Sequence, residues 1–288
     1  MLEIIEDTLL DSIKLLPFLF ITYLIMEYIE HKMGQKAKET IQKSGKFGPV
    51  IGSFLGIFPQ CGFSVSATNL YAGRVITLGT LIAVYLSTSD EMLPIFISEA
   101  VSPIVIFKIL EIKLVIGIVA GFLIDFVIHM VYKKKGPNEQ IDMVEELCEH
   151  DHCHCDHDSI VKSAFKHTLN IFVFIIIITF IINLGVFVIG EETISGMLRN
   201  QPILGPIVAG LIGLIPNCAA SVIITNMYLQ GVISVASMVT GLLTGTGVGL
   251  AVLFKTNKGI KKNIGIVFLL YTIGVVSGIL LELIDLRI

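Results

Sequence analysis

Long apolar runs, broken by short polar or charged segments, dominate the pattern along the chain. Seven stretches contain no charged residue: residues 15–26, 47–72, 75–89, 114–124, 169–190, 202–254 and 264–281. An apolar helix of about 20 residues is long enough to cross the hydrocarbon core of a bilayer. The pattern therefore predicts an all-α polytopic membrane protein, surrounded by membrane lipid.

The composition supports this fold class. Hydrophobic residues make up 54% of the 288 residues and charged residues 15%, and the mean hydropathy is +0.85. A soluble domain carries about 25% charged residues. The acidic start MLEIIEDTLLDSIK has no small-residue cleavage site, so we expect the first apolar run to remain as a helix. Nothing in the sequence indicates a nucleic-acid partner.

The chain contains an internal repeat, with FPQCGFSVSATNLY at 58–71 matching IPNCAASVIITNMY at 215–228. A shift of 157 residues aligns 48–76 with 205–233 without a gap, and 12 of the 29 positions are identical. Shared membrane composition explains Leu matched to Ile, but not Pro, Cys, Ser, Thr, Asn and Tyr in register. The sequence therefore predicts two membrane repeats, 1–132 and 161–288, joined by a linker at 133–160.

The positions of the positive charges predict how the repeats are oriented. Three basic segments, 32–46, 133–135 and 255–263, belong on the cytoplasmic side. They all fall there if the chain starts outside, residues 47–73 cross once, and residues 75–107 enter and return. Each half then makes five passes, so the second half is inverted. In this arrangement 14 of the 20 Lys and Arg residues lie inside, and Lys113 is among the six outside. Both termini are predicted outside the cytoplasmic membrane and the linker inside the cell.

Interruptions within the apolar runs indicate where a site would lie. Residues 231–254 are too short for two crossings, which need about 40 residues. We expect this segment, and its counterpart around LSTSDEMLPIF at 86–96, to form shallow hairpins or short tilted helices. Pro59 and Pro216 interrupt two further runs. Inverted repeats with interrupted helices predict a secondary-transporter site at the midplane, where the two copies face each other.

The sequence PQCGFSVSAT, followed by LSTSDEMLPIF, resembles the ten-span heavy-metal exporters, which are labelled manganese transporters or arsenic efflux proteins. It is more distantly similar to the organoarsenical permeases, which share a Pro-x-Cys-Gly element before a polar break. The resemblance covers most of the chain. It implies efflux of a metal or a metalloid.

The two repeated motifs supply candidate sulfur ligands. If Pro59 and Pro216 open helices, Cys61 and Cys218 lie in the first turn, where the helix dipole favours the metal-binding thiolate. Thiolates select soft or borderline metals over Mg²⁺ and Ca²⁺. Hydroxyl residues follow each cysteine on the same helix face and are either pathway residues or close-packing residues: Ser64 and Thr68, and Ser221 and Thr225. Helix N-termini also suit anions, which keeps an oxyanion or arsenical substrate open.

Two acids distinguish the first half from the second. Asp90 and Glu91 lie in STSDEMLP, where the second half reads TGTGVGLA. Acids inside a membrane are expensive and bind ions or carry protons, unless a hairpin tip brings them to the surface. With the cysteines, oxygen ligands could complete a mixed site for a divalent transition ion: Asp90, Glu91, Gln60, Asn69, Asn217 and Asn226. Thr88 is a further pathway candidate, and Glu99 is either a relay carboxylate or a surface residue.

The linker contains ELCEHDHCHCDHD at 146–158, a tract typical of metal capture. Its candidate ligands are Cys148, His150, His152, Cys153, His154, Cys155 and His157. Their spacing is not that of a structured zinc finger, so we expect a low-selectivity buffer or sensor. The alternative is a disordered, acidic tether.

Three classes of function follow. The first is a secondary transporter that exports Mn²⁺ or another divalent transition metal by alternating access, with protons as the coupling ion. The second is efflux of arsenite or an organoarsenical through Cys61 and Cys218. The third, an intramembrane thiol oxidoreductase, requires the two sulfur atoms near bonding distance. No ATP-binding or protease motif is present, so we predict a transporter rather than an enzyme, with no cofactor besides a linker-bound metal. The oligomeric state stays open, a homodimer included.

Overall fold

The computed structural model describes residues 47–58, 61–89, 91–132, 160–189, 204–257 and 259–284, with separate helical positions between 13 and 28. Eleven helices lie in the continuous ranges: α1 Gly48–Gly56, α2 Gly62–Ala72, α3 Leu78–Ser87, α4 Met92–Ser98, α5 Pro103–Tyr132, α6 Ile160–Ile189, α7 Leu204–Gly213, α8 Cys218–Leu229, α9 Val235–Thr244, α10 Gly249–Thr256 and α11 Ile260–Leu283. Helices α1 to α5 recur as α7 to α11 at the spacing of the sequence repeat. Five stretches of the described chain are long and apolar enough to cross a membrane.

Helices α1 and α2 form a hairpin. Gly48 of α1 faces Thr80 of α3, and Gly56 faces Ser87, so α1 and α3 run in the same direction. Helix α2 is antiparallel to α3. Only a short loop joins the two helices, and the Thr68 hydroxyl of α2 lies 2.6 Å from the Tyr85 hydroxyl of α3, so α3 must run back alongside α2. The prediction that residues 47–73 cross the membrane once is therefore wrong, because α1 and α2 run in opposite directions.

The second half contains the same hairpin. Gly205 of α7 faces Ser237 of α9, and Gly213 faces Thr244, so these two helices are also parallel. Gly241 of α9 meets the side chain of Ile224 in α8, as expected for antiparallel neighbours joined at residues 230–234. The two halves therefore share one fold in which α7 and α8 correspond to α1 and α2.

Helices α3 and α4 form one broken span. Helix α5 is antiparallel to α3, since Gly79 faces Asp125 and Gly117 faces Ser87. The N-terminal ten residues of α5 extend about 15 Å beyond the level of Lys113, whose ammonium group reaches the end of α3. The chain must therefore continue through α4 in the direction of α3 to reach the N-terminal end of α5. The stretches Leu78–Ser98 and Val235–Thr256, 21 and 22 residues long, each suffice for one crossing. The prediction that 75–107 and 231–254 enter and return is therefore wrong, whereas the alternative of short helices in these segments agrees with α3 and α4 and with α9 and α10.

The two halves exchange packing partners through their hairpins. The Ser64 hydroxyl donates to the Thr246 carbonyl oxygen at 2.9 Å, and the Thr68 hydroxyl lies 3.2 Å from the Gly249 carbonyl oxygen. The contacts follow the same order along α2 as along the second break and α10, so α2 and α10 run in the same direction. In the reciprocal contact, Phe96 of α4 in the first half packs on Tyr228 of α8 in the second half, with ring centroids 6.0 Å apart.

Burial separates central from peripheral helices. Nearly every residue of α3 and α9 is buried, and both belong to the larger hydrophobic cluster. Helices α5 and α11 expose large apolar side chains along their outer faces, among them Phe122, Phe126 and Phe268. Such extensive apolar exposure is typical of helices that face lipid.

The matched acids Asp125 and Glu282 cap the central helices. Asp125 accepts hydrogen bonds from the Thr77 hydroxyl at 2.7 Å and from the Gly79 amide at 2.9 Å, at the start of α3. Glu282 accepts one from the Ser234 hydroxyl at 2.8 Å, at the start of α9. An acid is favourable at a helix N-terminus. The contacts give both acids a capping role at the start of a central helix.

Replacing Asp125 with Asn is expected to lower the free energy of unfolding by about 2 kcal/mol, since hydrogen bonds to a charged group contribute about that much. The thermal unfolding midpoint in detergent measures the effect. Glu111→Gln, an exposed acid on the same helix, is the control and should leave the midpoint unchanged. Equal midpoints for the two variants would remove the capping role.

Candidate functional site

The two repeated cysteines meet at the interface of the halves. The Sγ atoms of Cys61 and Cys218 lie 3.0 Å apart, and both residues are buried and form no disulfide. Each cysteine stands at a hairpin tip and at a helix N-terminus. Cys61 is the N-cap residue of α2, and Cys218 is the first residue of α8 after the N-cap Asn217. The fold thus brings together two sulfur atoms that are 157 residues apart in the sequence.

The local start of α8 differs from the prediction by two positions. Pro216 was expected to open the helix, but it precedes the N-cap Asn217, whose backbone is extended. Because the helix therefore begins at the cysteine itself, the Cys218 thiol is closer to the helix N-terminus than expected. Pro59 and Gln60 of the first tip lie outside the described residues.

An apolar shell surrounds the cysteine pair. Its buried members come from the N-terminal helical residues, from α2, from α6, and from α10 with its N-cap: Leu19, Tyr23, Val65, Ala164, Ile171, Ile175, Val248 and Val252. The shell excludes water from the sulfur atoms, which strengthens any electrostatic interaction made there.

The predicted hydroxyl residues bind backbone carbonyl groups. Ser64 and Ser221 lie 2.8 Å and 2.7 Å from the carbonyl oxygens of Cys61 and Cys218. Thr68 and Thr225 each lie 2.7 Å from the carbonyl oxygen one turn earlier. All four are buried, and Ser64 and Thr68 also reach α10. The contacts of Ser221 and Thr225 lie within their own helix, whereas Ser64 also ties the first tip to the second helix break.

The two repeated asparagines have different environments. Asn69 is buried, and its Oδ1 accepts a hydrogen bond from the Tyr23 hydroxyl at 3.2 Å. Its Nδ2 has no hydrogen-bond partner among the described residues. Asn226 is exposed. Each asparagine lies eight residues, about 12 Å, beyond its cysteine along the helix, so the fold does not place either beside the sulfur pair.

The first helix break holds part of the predicted acidic group. Glu91 is half-buried at the N-cap of α4, and Thr88 is buried at the C-cap of α3. Glu99 is exposed at the C-cap of α4, at the far end of the broken span. Asp90 lies outside the described residues, and within the described ranges no three His, Cys, Asp or Glu side chains form a metal-binding group.

The structure adds two polar residues that the sequence did not single out. Lys113, predicted outside the membrane, is fully buried beside the ends of α3 and α9. Thr246, in the second break, is also buried, and its Oγ1 has no partner among the described residues. A lone lysine next to a long apolar run was the available signal for Lys113. The linker ligands, Cys148 to His157, lie outside the described residues.

Apolar spans, two broken helices and two buried hairpin tips define a multi-pass helical membrane protein whose halves meet at a pair of cysteines. A family described as "Putative, 10TM heavy-metal exporter" matches residues 2–186 and 128–255 in two overlapping segments. The chain belongs to this family. Comparisons with curated proteins and with solved structures gave no significant match.

Proposed function

We propose that the protein is a secondary transporter that exports a heavy-metal ion through a site built on Cys61 and Cys218. The contact between the two sulfur atoms carries this proposal. Two thiols from different halves converge at helix N-termini, inside an apolar shell and beside the second helix break, to which Ser64 joins the first tip. This donor set suits borderline and soft metal ions.

The direction of the helices supports an inverted repeat. Helix α2 leads from its tip back to the surface from which its hairpin enters. Helix α10 leads from its break to the surface opposite the one from which the hairpin of the second half enters. Because these two helices run in the same direction, the halves have opposite orientations. One half would then move against the other around the shared site during alternating access.

The distribution of lysines agrees with this arrangement. In each half, one full helix, a hairpin, a broken span and a second full helix make three crossings, which is an odd number. Starting outside, the chain places 32–46, 133–135 and Lys255 on the cytoplasmic side, as the positive-inside rule requires. In this topology Arg74, in the loop after the hairpin, also lies on the cytoplasmic side.

The leading substrate class is a divalent transition metal, with Asp90 and Glu91 as oxygen ligands or proton carriers. The sulfur pair favours Zn²⁺ or Co²⁺ over the harder Mn²⁺. A second class, arsenite or an organoarsenical, is favoured by the sulfur–sulfur contact within an apolar shell. The cysteine-rich linker would act as a cytoplasmic capture segment in either case.

Uptake into inside-out vesicles distinguishes the two classes. We expect the wild type to accumulate Zn²⁺ or Co²⁺, and both Asp90→Asn/Glu91→Gln and Cys61→Ser/Cys218→Ser to lose uptake by at least about tenfold, since even outer-shell changes cost a metal site about 10–100-fold. Glu111→Gln is the matched control. Accumulation of arsenite alone, lost only in the cysteine variant, would select the second class. Uptake equal to that of empty vesicles for every ion would contradict both.

A further inference from the structure

Lys113 is a buried charge that joins the two halves. It lies in α5 of the first half with 0% of its surface exposed, and it is the one charged residue among the buried side chains of the described ranges. Its Nζ donates a hydrogen bond to the Thr88 carbonyl oxygen, and a second to the Leu242 carbonyl oxygen at 3.1 Å. One ammonium group therefore contacts the broken span of each half.

The two acceptors lie at the C-terminal ends of broken helices. Thr88 is the C-cap of α3, and Leu242 is in the last turn of α9. The carbonyl groups at a helix C-terminus carry a partial negative charge and lack partners within the helix. Two such ends close together inside a membrane protein form a cation position, and carriers with broken helices bind coupling ions at such carbonyl ends.

The repeat provides an internal comparison. The counterpart of Lys113 is Leu270, which is also fully buried. The counterparts of Asp90 and Glu91 are Gly247 and Val248. The half with acids in its break therefore also has the lysine, and the other half has neither, so the acids and the positive charge occur together in one half.

We propose that the Lys113 ammonium group is a built-in cation that occupies the carbonyl position shared by α3 and α9. The chain thus supplies covalently the charge that a bound Na⁺ or other coupling cation would supply there. The positioning of the two breaks around the transport site then needs no external cation. The inference deepens the proposed function, since it concerns the coupling chemistry of the same site.

Thermal unfolding of the purified protein in detergent tests this inference without any substrate. Lys113→Ala is expected to lower the unfolding midpoint by roughly 5 °C or more, and 100 mM methylammonium or Na⁺ should restore part of it. The salt control is choline at the same concentration. Choline screens charges equally but is too large for the space that the lysine side chain would leave. The wild type and Lys108→Ala, an exposed lysine on the same helix, should not respond to the small cations.

A relocated charge provides the second variant. Lys113→Leu/Leu270→Lys moves the ammonium group to the equivalent position of the other half, from which it should reach the same pair of helix ends. We expect this double variant to recover at least half of the midpoint lost in Lys113→Leu. Recovery by small cations or by relocation supports the inference. A Lys113→Ala midpoint equal to the wild type, or a loss that neither treatment recovers, overturns it. Because no substrate is used, both results are independent of which metal is exported.

Discussion

Oxidation with diamide is expected to join Cys61 to Cys218 and to stop transport completely until the bond is reduced. The sulfur atoms lie 3.0 Å apart, and a disulfide needs them at about 2.05 Å. The two thiols lose two hydrogen atoms to diamide, which becomes the corresponding hydrazine. Because each cysteine belongs to a different half, the bond fixes the hairpin tips to each other, and a carrier that moves one half against the other cannot complete its cycle.

A cleavable linker makes the bond visible. Cys148, Cys153 and Cys155 are replaced by serine, and a protease site is inserted between residues 133 and 159. After oxidation and cleavage, the two halves should remain together on a non-reducing gel and separate on reduction. The control carries Cys61→Ser in addition and should separate in both cases. A quantitative bond with undiminished transport would show that the tips do not move during the cycle.

The same cross-link reports on substrate binding. If both thiols bind the exported ion, that ion should slow bond formation when it is added before diamide. Zn²⁺ or arsenite is expected to protect at micromolar concentrations and Mn²⁺ far less, because sulfur prefers softer ions. Equal cross-linking rates with and without every ion tested would separate the cysteines from the substrate site.

Replacing Gly121 with valine is expected to prevent stable folding. A Cβ at this position would lie 2.7 Å from the Pro49 Cβ and 2.8 Å from the Gly79 carbonyl oxygen, where α1, α3 and α5 meet. The partners are a ring carbon and backbone, which cannot rotate away. Overpacking costs typically 1–3 kcal/mol, and a branched side chain between three helices should exceed about 3 kcal/mol.

Gly265→Val is the matched control for this substitution. Gly265 is an exposed glycine within the long helix α11 and has no atom within 4 Å of an added Cβ. Size-exclusion chromatography of fluorescently tagged protein should show a folded peak for Gly265→Val and an aggregated one for Gly121→Val. Folded peaks of equal height would contradict the close packing of α1, α3 and α5.

Local sequence was sufficient to predict the repeat and to identify its two cysteines as candidates for one site. Polar residues that match in register, such as Cys61 with Cys218, have no basis in bilayer composition, so they report common structure. The helical class and the existence of breaks followed from apolar run length and from the prolines. The contact between the two sulfur atoms shows that the two repeated motifs lie next to each other in the fold.

The order of hairpin and span could not be read from the sequence. Residues 47–73 and 75–98 have similar length and apolarity, and either could cross or return. Tertiary contacts decide: Gly48 and Gly56 allow α1 to lie against α3 in parallel, which forces the chain back through α2. Lys113 was misplaced for a related reason. A lysine near the end of an apolar run is ordinarily at the surface, and its carbonyl partners come from helix ends far away in the chain.

The exchange of partners between α2 and α10, and between α4 and α8, has a consequence for the origin of the protein. The hairpin of each half packs on the broken span of the other half. In a single half, that side of the hairpin would have no protein partner within the membrane. If the halves are inverted as proposed, a single-half polypeptide before the duplication would have covered that surface by pairing with a copy inserted in the opposite direction. Gene fusion would then have freed the two copies to diverge, leaving the acids and Lys113 in one and Gly247, Val248 and Leu270 in the other.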